Sequence, residues 1–184
     1  DRVIYGGSRA AVNVNLATGI GTEFYRYEGI DAGMDDPIIT MGTDLLLNIE
    51  EISGSVFDDT LTGNGGANFI EGLDGDDTID GGAGIDTMEG NDGSDLYVVS
   101  DLGDVVRETN RQRSVGGEDT VKSFITTAMS GTGYVLGDFV ENLHIETTAS
   151  ANGSGNSLDN EIVANLGNNV LDGGSGLDTI SFRL

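Results

Sequence analysis

The sequence has no cysteine and no tryptophan, one histidine, one proline, and only 8 lysines and arginines against 32 aspartates and glutamates. Without cysteine there is no disulfide framework. A single histidine, His144, and no thiol leave neither a zinc site of the usual ligand set nor a Cys–His nucleophile pair. A Ser–His–Asp triad would have to be built on His144, and no G-x-S-x-G elbow accompanies it. The formal net charge of −24 disfavours nucleic acid and anionic membranes as partners. No run of about 18 apolar residues is available to span a bilayer, and no charged-then-apolar segment at the start resembles a signal peptide. What is plentiful is glycine, 30 of 184 residues, and aspartate, and the two recur together with a fixed period.

From Gly54 to Val98 the chain reads GSVFDDTLT, GNGGANFIE, GLDGDDTID, GGAGIDTME and GNDGSDLYV. Each nine-residue unit begins with glycine. Its sixth residue is Asp59, Asn68, Asp77, Asp86 or Asp95, and its eighth is apolar: Leu61, Ile70, Ile79, Met88 or Tyr97. The register returns at Gly155, Ala164 and Gly173, with Asn160, Asn169 and Asp178 sixth and Ile162, Leu171 and Ile180 eighth. The pattern G-G-x-G-x-D-x-U-x is a repeat signature of calcium-binding parallel β-helices. A disordered Gly/Asp linker has the same composition, but it has no reason to keep an apolar residue at every eighth place.

The spacing explains the chemistry. Glycines at the first, second and fourth places permit φ > 0 and tight reversal. The last residues of each unit alternate faces as a strand does, so the eighth points inward. Two units make one turn, which stacks Asp59, Asp77 and Asp95 on one edge and Asn68 and Asp86 on the other. Stacked strands lie about 4.8 Å apart, and Ca²⁺–O distances are about 2.3–2.6 Å, so one ion midway between turns reaches both. No lysine or arginine occurs between Arg26 and Arg107 to neutralise that column. An EF-hand does not fit: the window from Asp76 has Thr78 where the third-place ligand belongs and Thr87 where the closing glutamate belongs.

These units resemble the hemolysin-type calcium-binding repeats of the RTX (repeats-in-toxin) family of Gram-negative secreted proteins. The resemblance is specific over Gly54–Val98, good over Gly155–Ser181 and weaker over Ala11–Ser55. It implies a parallel β-roll that folds on binding several Ca²⁺ ions after type I secretion, hence an extracellular, non-catalytic module. It also implies the ligands. The side chains are those of Asp59, Asn68, Asp77, Asp86, Asp95, Asn160, Asn169 and Asp178. The loop carbonyls are those of Gly63, Gly65, Gly72, Asp74, Gly81, Ala83, Gly90, Asp92, Gly173 and Ser175. Asn68, Asn160 and Asn169 replace aspartate, and Phe57 stands where a glycine is expected, so weaker sites are expected there.

The predicted fold is all-β: a calcium-stabilised parallel β-roll in two repeat blocks, continuous with flanking β-helix-like or sandwich-like strands. The predicted segments are 1–53, a strand lead-in with a long loop; 54–100, the first roll block; 101–152, a β-rich insert; and 153–184, a second, truncated block. Asp1–Ile4 reads as the end of a preceding unit, which marks the chain as part of something longer and, as such, monomeric. Val12, Val14 and Leu16 alternate as a strand, Thr22–Thr43 reads as an excursion loop carrying Phe24, Tyr25 and Tyr27, and Leu45, Leu47 and Ile49 alternate as a second strand. Val140, Leu143 and Ile145 are core candidates. Asn152-Gly153-Ser154 matches a glycosylation sequon. The alternative function is a polysaccharide- or surface-binding module, using exposed aromatics or the cluster Arg107, Arg111 and Arg113. The other reading of that cluster is a solvated loop paired with the chain's own carboxylates.

Overall fold

A computed structural model describes residues 1–26, 38–109, 116–127 and 131–182. All regular structure among them is strand, so no helix there is long and apolar enough to cross a membrane. The chain winds as a parallel β-solenoid. One face is a ten-stranded sheet in which Val12–Asn15, Thr60–Thr62, Thr78–Asp80, Leu96–Val99, Thr120–Ser123, Asn142–Ile145, Glu161–Ala164 and Thr179–Phe182 follow one another in parallel. The other face is built from five strands, Arg2–Ile4, Glu51–Ser53, Phe69–Asp74, Thr87–Asp92 and Val105–Arg107, followed by a three-stranded sheet from Tyr134–Val135, Gly153–Ser154 and Leu171–Asp172. The insert 101–152 therefore continues the same winding instead of interrupting it.

The eighth-place residues form two inward columns. Val14, Leu61, Ile79, Tyr97, Val121, Leu143 and Ile162 lie in register on the long sheet, and Val3, Ile52, Ile70, Met88 and Val106 on the other. Except for Val3 and Val106, each of these is 0 % exposed. Val140 and Leu143 join the same core, and Ile145 is also buried. Ile180, in the last described rung, is 43 % exposed, because only Ile162 flanks it in the sheet. Asp1–Ile4 does enter the pattern at the sixth to ninth places, with Val3 opposite Ile52.

The lead-in departs from the sequence expectation. Ile20–Arg26 and Ile38–Leu45 are antiparallel strands added beside Val12–Asn15, where a loop was expected. Leu45 and Leu47 are exposed, and the strand that feeds the repeats is Glu51–Ser53, with Ile52 inward. A three-residue run was too short to outcompete the longer alternation before it. Tyr27, Arg111 and Arg113 lie outside the described residues. Arg107 pairs with Glu89 at 3.2 Å. The Asn152 sequon is not a surface tripeptide: Asn152 is buried, its amide donates to the Gly131 carbonyl and its Oδ1 accepts from the Val170 N–H.

Candidate metal centre

The sixth-place side chains are ladder rungs. Asp77 Oδ1 accepts the Asp59 backbone N–H at 2.7 Å, Asp95 Oδ1 accepts that of Asp77 at 2.8 Å, and Asp86 Oδ1 accepts that of Asn68 at 2.9 Å. These bonds step by 18 residues, so Asp59, Asp77 and Asp95 share one edge and Asn68 and Asp86 the other. Asp178 Oδ1 repeats the contact with the Asn160 N–H at 3.0 Å. Asn169 Oδ1 accepts the Ala151 N–H, and the Asn169 amide donates to the Asn165 carbonyl.

The loops before these rungs come in two conformations. In the loops 72–77, 81–86, 90–95 and 173–178 the second-place residue has positive φ (Leu73 91°, Gly82 86°, Asn91 78°, Gly174 87°). So does the fourth-place glycine (Gly75 121°, Gly84 120°, Gly93 135°, Gly176 127°). The loops 54–59, 63–68 and 155–160 show no such residue. In them the second-place N–H instead caps the sixth-place side chain: Ser55 to Asp59, Asn64 to Asn68, Asn156 to Asn160. Where φ is positive the cap is missing. The buried Oδ2 atoms of Asp77, Asp86 and Asp95 have no hydrogen-bond partner.

First-place glycines serve a purpose other than the one expected of them. They do not take positive φ; they allow close approach. A Cβ on Gly72 would sit 2.0 Å from Asp77 Oδ2, and one on Gly81 2.6 Å from Asp86 Oδ2. The carbonyl of each next-rung glycine also presses in. Gly81 O would lie 2.2 Å from a Cβ on Gly63, and Gly173 O 2.3 Å from one on Gly155. Gly63, Gly72, Gly81 and Gly90 are thus buried around the sixth-place side chains, whereas third-place Gly65, Asp74, Ala83 and Ser175 sit exposed on the loop rim. Asp92, also third, is half-buried, and its carbonyl accepts the Gly75 N–H at 2.8 Å.

A buried carboxylate oxygen without a donor costs several kcal/mol unless it is protonated or meets a cation. Carboxylate and carbonyl oxygens alone make a hard donor set, suited to calcium. The residues present therefore fit the ion. Burial, above all, pushes the Asp77 carboxyl up to about 8 and those of Asp86 and Asp95 to about 6, against partial relief from the accepted backbone N–H bonds. A carboxyl whose pKa rises on folding binds more protons folded than unfolded. Its contribution is full below about pH 4 and lost as pH climbs through the folded value. In chelator, the chain is expected to show more strand signal by circular dichroism at about pH 5 than at about pH 8; the reverse order would mean these carboxyls are not the destabilising groups.

Three further residues occupy sixth places that the sequence reading passed over. Asp104 Oδ1 accepts the Asp86 N–H, Asp119 Oδ1 that of Asp95, and Glu141 Oε2 that of Asp119. Asp104 stands nine residues after Asp95, but its unit has Val99, Ser100 and Leu102 in place of the glycines. Asp119 and Glu141 follow longer steps of 24 and 22 residues. The fragments D-x-V-x and E-x-L-x were the available signals.

A glycine-looped, parallel β-solenoid with stacked buried carboxylates defines a calcium-binding repeat module. The RTX calcium-binding nonapeptide repeat model, in four copies, matches residues 53–88, 71–101 and 154–183. These segments belong to the RTX calcium-binding nonapeptide repeat family. No curated protein matches the chain.

Proposed function

We propose that this chain is a non-catalytic module of a secreted protein, which folds when Ca²⁺ enters between stacked nonapeptide turns after type I export. The observation that carries the reading is the pairing of positive-φ loops with donorless buried oxygens at Asp77, Asp86 and Asp95. Ions belong at those loops and at 173–178, held by the sixth-place carboxylates with help from loop carbonyls such as Gly72, Gly81, Gly90 and Gly173. Asp59, Asn68 and Asn160 are satisfied by their own loops and need no ion. Calcium supplies the positive charge that the chain lacks. The residues supply the rest: they fix the oxygens in register and exclude water from them.

Export follows from linkage. A chain with a −24 charge, whose largest fully buried side chains are mostly confined to two thin columns while many other large apolar residues stay exposed, gains too little on collapse to offset its ordering entropy. Low calcium inside the cell leaves it extended, and high calcium outside folds it by mass action. On this reading the module works outside a Gram-negative cell, which the calcium difference and the repeat family support. Calorimetric titration with millimolar calcium, read alongside circular dichroism, is expected to show several ions bound together with a gain of strand signal. An unchanged spectrum, or no heat of binding, overturns the reading.

A further inference from the structure

Where the nine-residue period breaks, the solenoid does something the repeats do not. Gly54, Gly72 and Gly90 occupy the first place of successive rungs on one edge, and the next position in that column is Glu108. A side chain thus enters a space that glycine otherwise keeps open: a Cβ on Gly90 would meet Asp95 Oδ2 at 2.0 Å and the Tyr97 hydroxyl at 2.2 Å. The Glu108 carboxylate reaches inside and accepts the hydroxyl hydrogen of Tyr97 at Oε1. Asp95 and Asp119 arrive from consecutive rungs, tied by the Asp95 N–H to Asp119 Oδ1 bond at 2.8 Å. One carboxylate oxygen from each of Asp95, Glu108 and Asp119 lies within 4.8 Å of the others, and all three residues are buried.

We propose that Asp95, Glu108 and Asp119 form an interior divalent-cation site, of calcium type, additional to the loop sites, sharing Asp95 with the loop 90–95 and closing the first repeat block where the period breaks. A cluster of carboxylates alone would not point to an ion. Here Glu108, 6 % exposed, and Asp95, 1 % exposed, each leave an oxygen with no partner, Oε2 and Oδ2. Asp95 Oδ2 and the Tyr97 hydroxyl that Glu108 holds crowd the same point above Gly90, so the unpartnered oxygen of Asp95 is turned toward Glu108. Arg107 beside it is turned to Glu89. The donors are oxygen only, and a dry pocket disfavours magnesium, which keeps its waters, over calcium, which accepts many protein oxygens. Glu108 is the residue that makes the site, since glycine stands at that place in the three preceding rungs, at Gly54, Gly72 and Gly90.

The proposal rests on the calcium-module reading, and the test separates the two. The full 184-residue chain is titrated calorimetrically with calcium, and with Tb³⁺ under tyrosine excitation, since an ion beside Tyr97 is sensitised by its phenol. E108Q keeps the shape and removes one charge. It is expected to bind one calcium fewer than the parent chain and to lose most tyrosine-sensitised terbium emission. E108Q retaining the full ion count overturns the interior site and leaves the module standing, as when the three carboxyls share protons instead. No ion bound to the parent chain overturns both. If E108Q does not fold in calcium, Y97F decides: sensitised emission is expected to fall while the calcium count stays, and emission equal to the parent's rejects the site.

Discussion

Ile79→Ala is expected to raise the calcium concentration at the folding midpoint about two- to eightfold while leaving the number of ions bound unchanged. Ile79 is 0 % exposed and stacked between Leu61 and Tyr97 in the inward column of the long sheet. Truncation of a buried isoleucine costs about 2–5 kcal/mol. If about four ions bind with folding, each tenfold change in free calcium is worth roughly 1.4 kcal/mol per ion, which gives the stated range. Thr78→Ala is the control: its neighbours in the sheet are Thr60 and Leu96, and its side chain faces away from the column. Circular dichroism at stepped calcium reads both. Equal shifts for the two variants would falsify the inward assignment of the eighth position.

Gly93→Ala is expected to be more damaging still, leaving the chain without its strand signal at calcium concentrations that fold the parent. Gly93 has φ 135°, and a Cβ there would lie 2.0 Å from the Gly75 carbonyl oxygen and 2.6 Å from its carbon. The unfavourable φ alone costs about 1–3 kcal/mol. The overlap is with backbone, which no rotamer change relieves, so the loop 90–95 must lose its stacking on 72–77. Gly65→Ala makes the same chemical change where φ is not positive and nothing lies within 4 Å, and it is expected to fold like the parent. A Gly93→Ala chain with the parent's calcium midpoint would show that the loops do not stack as described.

Periodicity made the repeats legible. Glycine at one, carboxylate at six and an apolar residue at eight fixed the turn, the 18-residue stacking and the two core columns, because each feature recurs wherever the backbone repeats. The reason for the first glycine was not legible. It answers to an oxygen of the same unit and a carbonyl of the next rung, and no spacing rule reveals that contact. Phe57, Asn68 and Asn160 single out the three loops that are capped, but nothing in the sequence gives the two loop conformations. Leu73 and Asn91 take positive φ although neither is glycine, while Gly65 and Gly66 in GNGGANFIE do not. Outside the repeats the signal was thinner. Ile52 sits in a strand of three residues, Asp104 lies in a unit without its glycines, and the site at Glu108 needs two rungs and a core tyrosine brought together.

The carboxylate ladder has a polarity that the sheets do not. Every bond in it runs one way, from the backbone N–H of one rung to the side chain of the rung that follows: Asp59 to Asp77, Asp77 to Asp95, Asp95 to Asp119, Asp119 to Glu141. Removing a rung from the C-terminal side strands a buried amide, which no cation can serve. Removing one from the N-terminal side frees a carboxylate oxygen, which a cation or a proton readily meets. The two ends of such a stack are therefore unequal as growing tips, and a chain emerging into calcium C-terminal end first would present the acceptors of each rung before the donors that need them.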